Sequence, residues 1–362
     1  MVRYLRPTAL SAAALVLLLA TDGSALRGVP LAYAETANRM PVSGHQGHAG
    51  TSGHSSHSGR PGHSAHPTST APAPPTDPGQ LDPANPTDPA NPTDPTAPDA
   101  QAAPAAPATP PTVLPDPGAA ELAAVPRTVF TGSAFDACTA PSLDTMRAWR
   151  GTSPYGAVGI YTSGRQRACT QPRLTADWVQ QVRALGWRLI PTHVGRQAPC
   201  TTAQNKPQWI DPAQAVEQGR QEAAEAVQGA KQVGIGPGSP VYLDMESYRP
   251  GDAGCAKAVV DFTLGWTQAL HSAGYFSGYY SSLNTGVADL AAAARAGAAP
   301  LPDALWYARW DNRPSLDGGG VLTDDQWSAH RRAHQIQGGV LESHGGVKVE
   351  IDRDQWDALV AG

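Results

Sequence analysis

Two carboxylates, Asp244 and Glu246, stand two residues apart in the run Val-Tyr-Leu-Asp-Met-Glu-Ser at 241–247. The apolar and aromatic residues of this run, which follows a proline and several glycines, predict a short buried strand. Because side chains alternate between the faces of a strand, both carboxylates project to one side and can address one ligand. Paired acids suit proton transfer. We predict Glu246 as a general acid kept protonated by burial, with Asp244 as its ionised partner.

The elements that position these acids alternate between strand-like and helix-like stretches after residue 127. Eight strands are predicted, separated by helices or loops, which indicates a (β/α)8 barrel with a doubly wound sheet as the alternative. The predicted helices include 142–149 with Ser142 as N-cap, a stretch from 175 that stops at Gly186, and one opened by Asp211-Pro212. The predicted strands are 129–136, 157–161, 188–193, 241–247, 275–281, 305–310, 334–337 and 347–352.

Polar side chains collect where these strands end, which is where barrel enzymes keep their sites. Asp136 and Asp352, on the first and last strands, are expected to close a ring of acids around Asp244 and Glu246. Aromatic residues near the same ends are expected to include platforms for sugar rings, namely Tyr161, Tyr248, Trp306, Tyr307 and Trp310. The predicted substrate-binding residues are Asp136, Asp352, His193, Arg309, Gln335, Tyr161 and Trp306.

The residues before the predicted barrel differ sharply in composition from it. Arg3 and Arg6 precede a short apolar run, and Ala-Tyr-Ala at 32–34 has a small-x-small pattern, so residues 1–34 are predicted to be a signal peptide, with an uncleaved anchor as the alternative. Residues 35–126 are predicted to be a disordered linker, His-rich at 44–66 and Pro-rich at 67–117. We expect a secreted, extracellular protein whose linker allows association with the cell wall.

A histidine repeat lies inside this linker. Gly-His-x-x-His occurs at 44–48, 53–57 and 62–66 and holds six of the eleven histidines. The repeat from His45 to His66 predicts either weak metal binding or a solvated segment without a ligand. His330 and His334, four apart in a helix-like stretch, lack the glutamate of a zinc-protease motif and are expected at the surface. No metal site and no cofactor are predicted for the barrel.

The four cysteines all fall after residue 127, at Cys138, Cys169, Cys200 and Cys255. An even count in an exported chain favours two disulfides, for which three pairings are possible. We favour Cys138 with Cys169 and Cys200 with Cys255, because each bond would join loops that follow successive strands.

Several classes of function are excluded by charge and motifs. The net charge is -5 and no cluster of Lys and Arg is interleaved with aromatics, so nucleic acid is not an expected partner. The sequence contains no GxSxG, P-loop or dinucleotide fingerprint. The acids at strand ends instead favour glycoside hydrolysis.

Three segments together resemble a known family. Residues 132–138, 240–246 and 349–356 are similar to the glycoside-hydrolase-like barrels of secreted proteins from high-GC Gram-positive bacteria, which resemble the family 25 lysozymes. The resemblance implies a (β/α)8 fold, a cleft lined by Asp136, Asp244, Glu246 and Asp352, and Glu246 as the acid. The strand-seven motif W-Q-Y of the lysozymes matches this chain only at Gln335.

The sequence therefore predicts a glycosidase acting on cell-wall or extracellular glycan of the peptidoglycan type, with acid catalysis by Glu246 and Asp244. The alternative is a non-catalytic glycan-binding or cell-envelope structural module with a vestigial site. A third option is a metal-handling protein that acts through residues 44–66.

Overall fold

A computed structural model describes residues 110–203 and 205–362. The predicted signal peptide, the histidine repeat and most of the linker lie outside this range. Within it, eight strands close into one barrel in chain order. The strands are β1 (Val129–Asp136), β2 (Tyr155–Ser163), β3 (Arg188–His193), β4 (Pro240–Asp244), β5 (Phe276–Ser282), β6 (Ala304–Ala308), β7 (Arg332–His344) and β8 (Val347–Leu359).

Six α-helices accompany the strands in the described residues: α1 (Gly118–Leu122), α2 (Leu143–Trp149), α3 (Ala176–Ala184), α4 (Ala215–Gln232), α5 (Ala253–Ser272) and α6 (Gly286–Ala296). Side-chain caps fix three of their starts. Ser142, Thr175 and Asp252 each accept a hydrogen bond from the backbone N–H three residues later. The predicted start of α4 was wrong, because Asp211 accepts from Ala213 N at 3.0 Å in a turn and the helix begins only at Ala215.

The predicted barrel is confirmed, but its last unit departs from a regular (β/α)8 pattern. Strands β1 to β7 pair in parallel, whereas β8 is antiparallel to both β7 and β1. No helix separates β7 from β8. Gly345 and Gly346, with φ of 55° and 80°, form the two-residue turn between them. A turn with positive φ at both central residues suits a hairpin, so the chain reverses there instead of crossing over.

The barrel has an apolar interior and an apolar outer layer. Inside the strands, Tyr242, Trp306 and Trp356 pack edge to face with ring centroids 5.3–6.2 Å apart. Val241 and Leu243, the alternate residues of β4, belong instead to the larger layer beneath the helices. This alternation sends Tyr242 and Asp244 to the interior face, so β4 delivers the Asp244 carboxyl to one end of the barrel.

The described residues before β1 lie against the other end of the barrel. Leu122 is buried in the same cluster as Tyr242 and Trp356. Gly118 sits so close to α5 that an added Cβ would lie 2.3 Å from the carbonyl carbon of His271. His271 contacts Asp116 at 2.6 Å and Asp303 at 2.9 Å. The predicted linker boundary at residue 126 remains a prediction, although residues 112–122 contact the barrel.

The favoured disulfide pairing is confirmed. Cys138 bonds to Cys169, and Cys200 bonds to Cys255. The second bond ties the loop after β3 to the first turn of α5. Among the described residues, no helix combines the length and apolar character needed to cross a membrane.

Candidate active site

An open cavity of about 340 Å³ lies where β1, β2 and β4 end, beside the first half of β8. It is lined by Asp136, Ala137, Cys138, Tyr161, Arg167, Ala168, Val194, Lys206, Asp244, Glu246, Glu350, Ile351 and Asp352. The four acids of the predicted ring all line it. Asp352 reaches the cavity because β8 is antiparallel, so that the start of this strand meets the ends of its neighbours, and Asp136 and Asp352 are paired in register.

The segment that carries Asp244 and Glu246 is held by the loop after β3. Gln197, which is fully buried, donates from Nε2 to the Asp244 carbonyl oxygen at 2.9 Å. Its Oε1 accepts from Glu246 N at 2.7 Å. One amide side chain thus satisfies both backbone groups where β4 ends, and it fixes the direction in which Glu246 leaves the strand.

Asp244 is the buried member of the pair. It is only 6% exposed, and among the described residues its Oδ1 atom accepts no hydrogen bond. Burial, with the neighbouring charges of Glu246 and Asp136 added, raises the pKa of Asp244 to about 8, although the charge of Lys206 lowers it. Burial therefore favours the protonated form of this carboxyl, because little solvent reaches it. This direction is opposite to the expectation that Asp244 is the ionised partner, which remains a prediction.

Glu246 has a different environment. Its side chain is 38% exposed, and Oε1 lies 2.6 Å from the ammonium of Lys206, whose own side chain is 6% exposed. A nearly buried lysine needs a counter-charge, and Glu246 supplies it. The structure therefore places a carboxylate–ammonium pair in the cavity lining, next to a buried carboxyl whose pKa is raised.

Asp136 and Asp352 are joined through Gln335. Gln335 Nε2 donates to Asp136 Oδ2 at 3.0 Å and to Asp352 Oδ2 at 3.2 Å. Tyr161 donates its hydroxyl to Asp136 Oδ1 at 2.7 Å. Burial, followed by the charge of Asp352, raises the pKa of Asp136 to about 7 despite these hydrogen bonds. Burial also raises the pKa of Asp352, whose Oδ1 accepts from Gly339 N at 2.7 Å.

The scan of protein families matches residues 147–356 to the family described as "Rv2525c-like, glycoside hydrolase-like domain". The chain belongs to this family. The predicted family resemblance is thereby confirmed, and the comparison with curated proteins finds no match.

Solved structures similar to this glycoside hydrolase-like domain include the Tat-secreted protein Rv2525c of Mycobacterium tuberculosis, at 15% identity and a TM-score of 0.44, covering 63% of this chain and 96% of that one. An uncharacterised protein of B. stearothermophilus has 16% identity and a TM-score of 0.40, covering 62% and 95%. A muramidase from Acremonium alcalophilum has 14% identity and a TM-score of 0.35, covering 62% and 93%.

Gln335 of the glycoside hydrolase-like domain has no hydrogen-bonding capacity left for a ligand. Its Oε1 accepts from the Tyr280 hydroxyl at 2.9 Å and from Trp310 Nε1 at 3.0 Å, while its two N–H groups serve Asp136 and Asp352. An amide has two donors and two acceptor positions, and all four are used. Gln335 therefore positions the two acids, and its predicted direct contact with substrate is not supported.

Three other predicted substrate-binding residues lie away from the cavity. His193 is fully buried between Ser163 Oγ at 2.8 Å and Glu222 Oε2 at 2.6 Å, which makes it structural. Trp306 is 2% exposed and donates to Asp354 inside the barrel at 2.8 Å. Arg309 pairs with Asp311 at 3.2 Å and lines a separate cavity of about 400 Å³. The direct substrate contacts predicted for these three residues are therefore not supported.

His334 corrects another expectation. It lies on β7 and is 2% exposed, so it is neither helical nor at the surface. Its ring nitrogens contact the carbonyl oxygens of Ser315 at 2.8 Å and Arg309 at 2.7 Å. Among the described residues, no group of three or more His, Cys, Asp and Glu side chains has an arrangement that would hold a metal ion.

Sequence reasoning missed three charged residues that line the cavity, namely Arg167, Lys206 and Glu350, and also the buried Asp354 inside the barrel. Lys206 lies in an irregular loop with no motif around it, so nothing in the sequence signalled its contact with Glu246. Asp354 is 2% exposed, and burial followed by the charge of Asp136 raises its pKa well above the ordinary value. It stands two residues after Asp352 on β8. The alternation argument used for Asp244 and Glu246 would have identified it.

Proposed function

We propose that this glycoside hydrolase-like domain hydrolyses an extracellular glycan of the peptidoglycan type in the cavity lined by Asp244 and Glu246. The observation that carries the proposal is the difference between these neighbours: Asp244 is 6% exposed and its pKa is raised by burial, whereas Glu246 is 38% exposed and paired with Lys206. Hydrolysis of a glycosidic bond needs a proton donor and an anion that stabilises an oxocarbenium-like centre. Acids with unlike environments supply both.

Glu246 is the group placed to contact the glycosidic oxygen, because its carboxylate faces the cavity and Asp244 lies behind it. For Glu246 to give a proton to the leaving oxygen, its ion pair with Lys206 at 2.6 Å must first open. Burial favours the protonated form of the neighbouring Asp244. We propose that substrate binding displaces Lys206, that the proton of Asp244 passes to Glu246, and that Glu246 delivers it to the leaving oxygen while the ionised Asp244 stabilises the oxocarbenium-like centre. Water then adds to that centre, and the proton that it loses returns to the pair of acids. Asp136 and Asp352, fixed by Gln335, hold sugar hydroxyls.

A second function is favoured by the same ion pair. If Lys206 stays on Glu246 when a glycan is bound, no proton reaches the glycosidic oxygen, and the domain is a glycan-binding module of the cell envelope without turnover. The predicted export signal and the proline-rich linker suit either function, since both place the barrel outside the cell and at a distance from its attachment.

The test is release of new reducing ends from purified peptidoglycan by the full chain, together with a Glu246→Gln variant and a Glu217→Gln variant as control. Glu217 lies exposed on α4, away from the cavity. We expect turnover by the wild type and the control, and its loss in Glu246→Gln with the thermal midpoint unchanged. Binding of peptidoglycan by the wild type without any reducing ends would favour the glycan-binding module. Full activity of Glu246→Gln would refute the assigned role.

A further inference from the structure

Trp310, two residues beyond the end of β6, exposes 64% of its surface. Single exposed apolar residues are common on proteins and by themselves indicate nothing. Of the five aromatic residues predicted near the site, Tyr248, Trp306 and Tyr307 are at most 3% exposed. Tyr161 is half-buried, with its hydroxyl on Asp136. Trp310 is therefore the member of this set that presents most of an aromatic ring to solvent.

The indole of Trp310 is held in place on its polar edge. Nε1 donates to Gln335 Oε1 at 3.0 Å. The backbone on both sides is fixed to β7, because Arg309 N donates to the Gln335 carbonyl at 3.1 Å and Asn312 N donates to the Ile336 carbonyl at 3.1 Å. The exposed ring thus has little freedom to fold away from water.

The chain also leaves room for the ring. Gly338 lies against the indole so closely that an added Cβ would be 2.3 Å from the Trp310 Cζ2 atom. Position 338 falls where the register of β7 against β8 shifts, between Gln337 and Val340. A glycine here admits the ring, whereas any larger residue would displace it. A glycine and a shift in strand register therefore coincide at the point where β7 packs against the exposed indole.

Residues of β7 at and before this register shift form hydrogen bonds with both Trp310 and two of the acids. Gln335, which accepts from the indole, also donates to Asp136 and Asp352. Gly339, next to Gly338, donates its N–H to Asp352 Oδ1 at 2.7 Å. Gln335 and the neighbouring backbone of β7 therefore hold both the indole ring and the two acids. A ligand that packs on the ring would lie beside the cavity.

We infer that Trp310 forms a sugar-stacking subsite at the rim of the cavity, for one pyranose ring of a β-1,4-linked glycan of the gluco configuration. In such sugars the ring substituents are equatorial, so each face presents C–H groups that pack on a flat aromatic surface. The inference rests on the proposed function and extends it, since it names the sugar shape that the domain selects. Trp310 positions the glycan; Glu246 and Asp244 perform the chemistry.

The test measures binding of chitotetraose and of cellotetraose by calorimetry, using the full chain carrying Glu246→Gln so that neither probe is cleaved. Into this parent we introduce Trp310→Ala, Trp310→Phe and Gly338→Ala. Trp310→Phe loses the hydrogen bond to Gln335 but keeps an aromatic face, and Gly338→Ala keeps the indole but displaces it. Val113→Ala removes apolar surface at a residue that is also 64% exposed, and it is the control. Thermal unfolding confirms that each variant is folded.

We expect Trp310→Ala and Gly338→Ala each to weaken binding about fivefold to tenfold, in line with the loss of one aromatic contact. Trp310→Phe and Val113→Ala should stay within about twofold of the parent. Binding of neither probe by the parent, or equal binding by the parent and Trp310→Ala, would overturn the subsite. Reducing ends released from peptidoglycan by the wild type would still support the hydrolase, so the two proposals fail separately.

Discussion

Lys206 and Glu246 form an ion pair of 2.6 Å between a side chain that is 6% exposed and one that is 38% exposed. The lysine reaches the cavity from the loop after β3, which is tied to the β4 segment through Gln197 and to α5 through the Cys200–Cys255 disulfide. The charge of Lys206 lowers the pKa of Asp244, and under the proposed function the opening of this contact distinguishes a hydrolase from a glycan-binding module.

Lys206→Met should raise the pKa of Asp244. Burial and the charge of Glu246 raise that pKa to about 8, whereas the charge of Lys206 lowers it, so removing the lysine removes the lowering effect. We expect the alkaline limb of the turnover profile to move up by about one pH unit. Carbon NMR of the Asp244 carboxyl measures the same change without turnover. Lys206→Arg keeps the charge and should behave as wild type. If Asp244 titrated in Lys206→Met as it does in the wild type, this interpretation would be contradicted.

Asp244→Asn should make the stability of the domain less dependent on pH. The folded-state pKa of Asp244, about 8, exceeds its ordinary value of 3.8, so the folded state binds the extra proton between these values and loses stability as pH rises. Between about pH 4 and pH 8, each pH unit costs up to about 1.4 kcal/mol for this one group, and above pH 8 the effect no longer grows. Urea unfolding of both proteins at several pH values measures the difference. Parallel stability curves would show that Asp244 is not the responsible acid.

His271→Gln should destabilise the domain more in acid than in base. Burial alone would lower the pKa of His271, but the hydrogen bonds and charges of Asp303 and Asp116 raise it above the ordinary 6.5. The stabilising effect of His271 on the folded state is complete below pH 6.5 and disappears as the pH rises through the higher pKa that His271 has in the folded state. We expect a loss of about 2 kcal/mol near pH 5.5 and less at alkaline pH.

The matched control for this variant is His330→Gln. His330 contacts only Asp357 among the described carboxylates, at 2.7 Å, and its side chain is 63% exposed. An exposed pair contributes little, so its replacement should leave the thermal midpoint almost unchanged. Equal effects of the two substitutions across the pH range would mean that the contacts with Asp116 and Asp303 add no stability.

Replacing Cys200 and Cys255 by alanine should cost about 4 kcal/mol of unfolding free energy, because the bond closes a loop with a sequence separation of 55. It should also loosen the loop that carries Gln197 and Lys206. We therefore expect lower peptidoglycan turnover or binding at a temperature where the variant is still folded. The control for lost stability without loss of the Lys206 contact is His271→Gln, at the other end of the barrel. Equal functional effects of this variant and of the double variant, compared at equal stability, would contradict a specific role for the loop.

Local sequence signals predicted much of the fold. The bounds of β1, α2 and β3 agree with the structure, and Ser142 is the N-cap of α2 as predicted. The reversal at β8 was missed. Gly345-Gly346 is a hairpin signal, but the alternation of apolar and polar residues on its two sides was read as two separate short strands.

The site was predicted in part, for a physical reason. Asp136, Asp244, Glu246 and Asp352 come together because backbone geometry and strand ends determine their positions, and both can be read from sequence. The burial of a side chain and its contacts with residues distant in the chain cannot be read from sequence in this way. The proton on Asp244 depends on solvent exclusion, and Lys206 meets Glu246 across 40 residues of chain through an irregular loop.

The antiparallel β7–β8 hairpin forms one side of the cavity. Glu350, Ile351 and Asp352 line the cavity from a hairpin whose tip rests on α2, where Trp149 Nε1 donates to the Val347 carbonyl at 3.0 Å. A hairpin can be lengthened at its turn without altering the strands of the barrel. Because a shift of one residue in register would exchange the two faces, insertions must preserve pairing across both strands. Insertions at this turn would therefore change the depth of the opening beside Glu350, Ile351 and Asp352, while the acids on β1 and β4 stay in place.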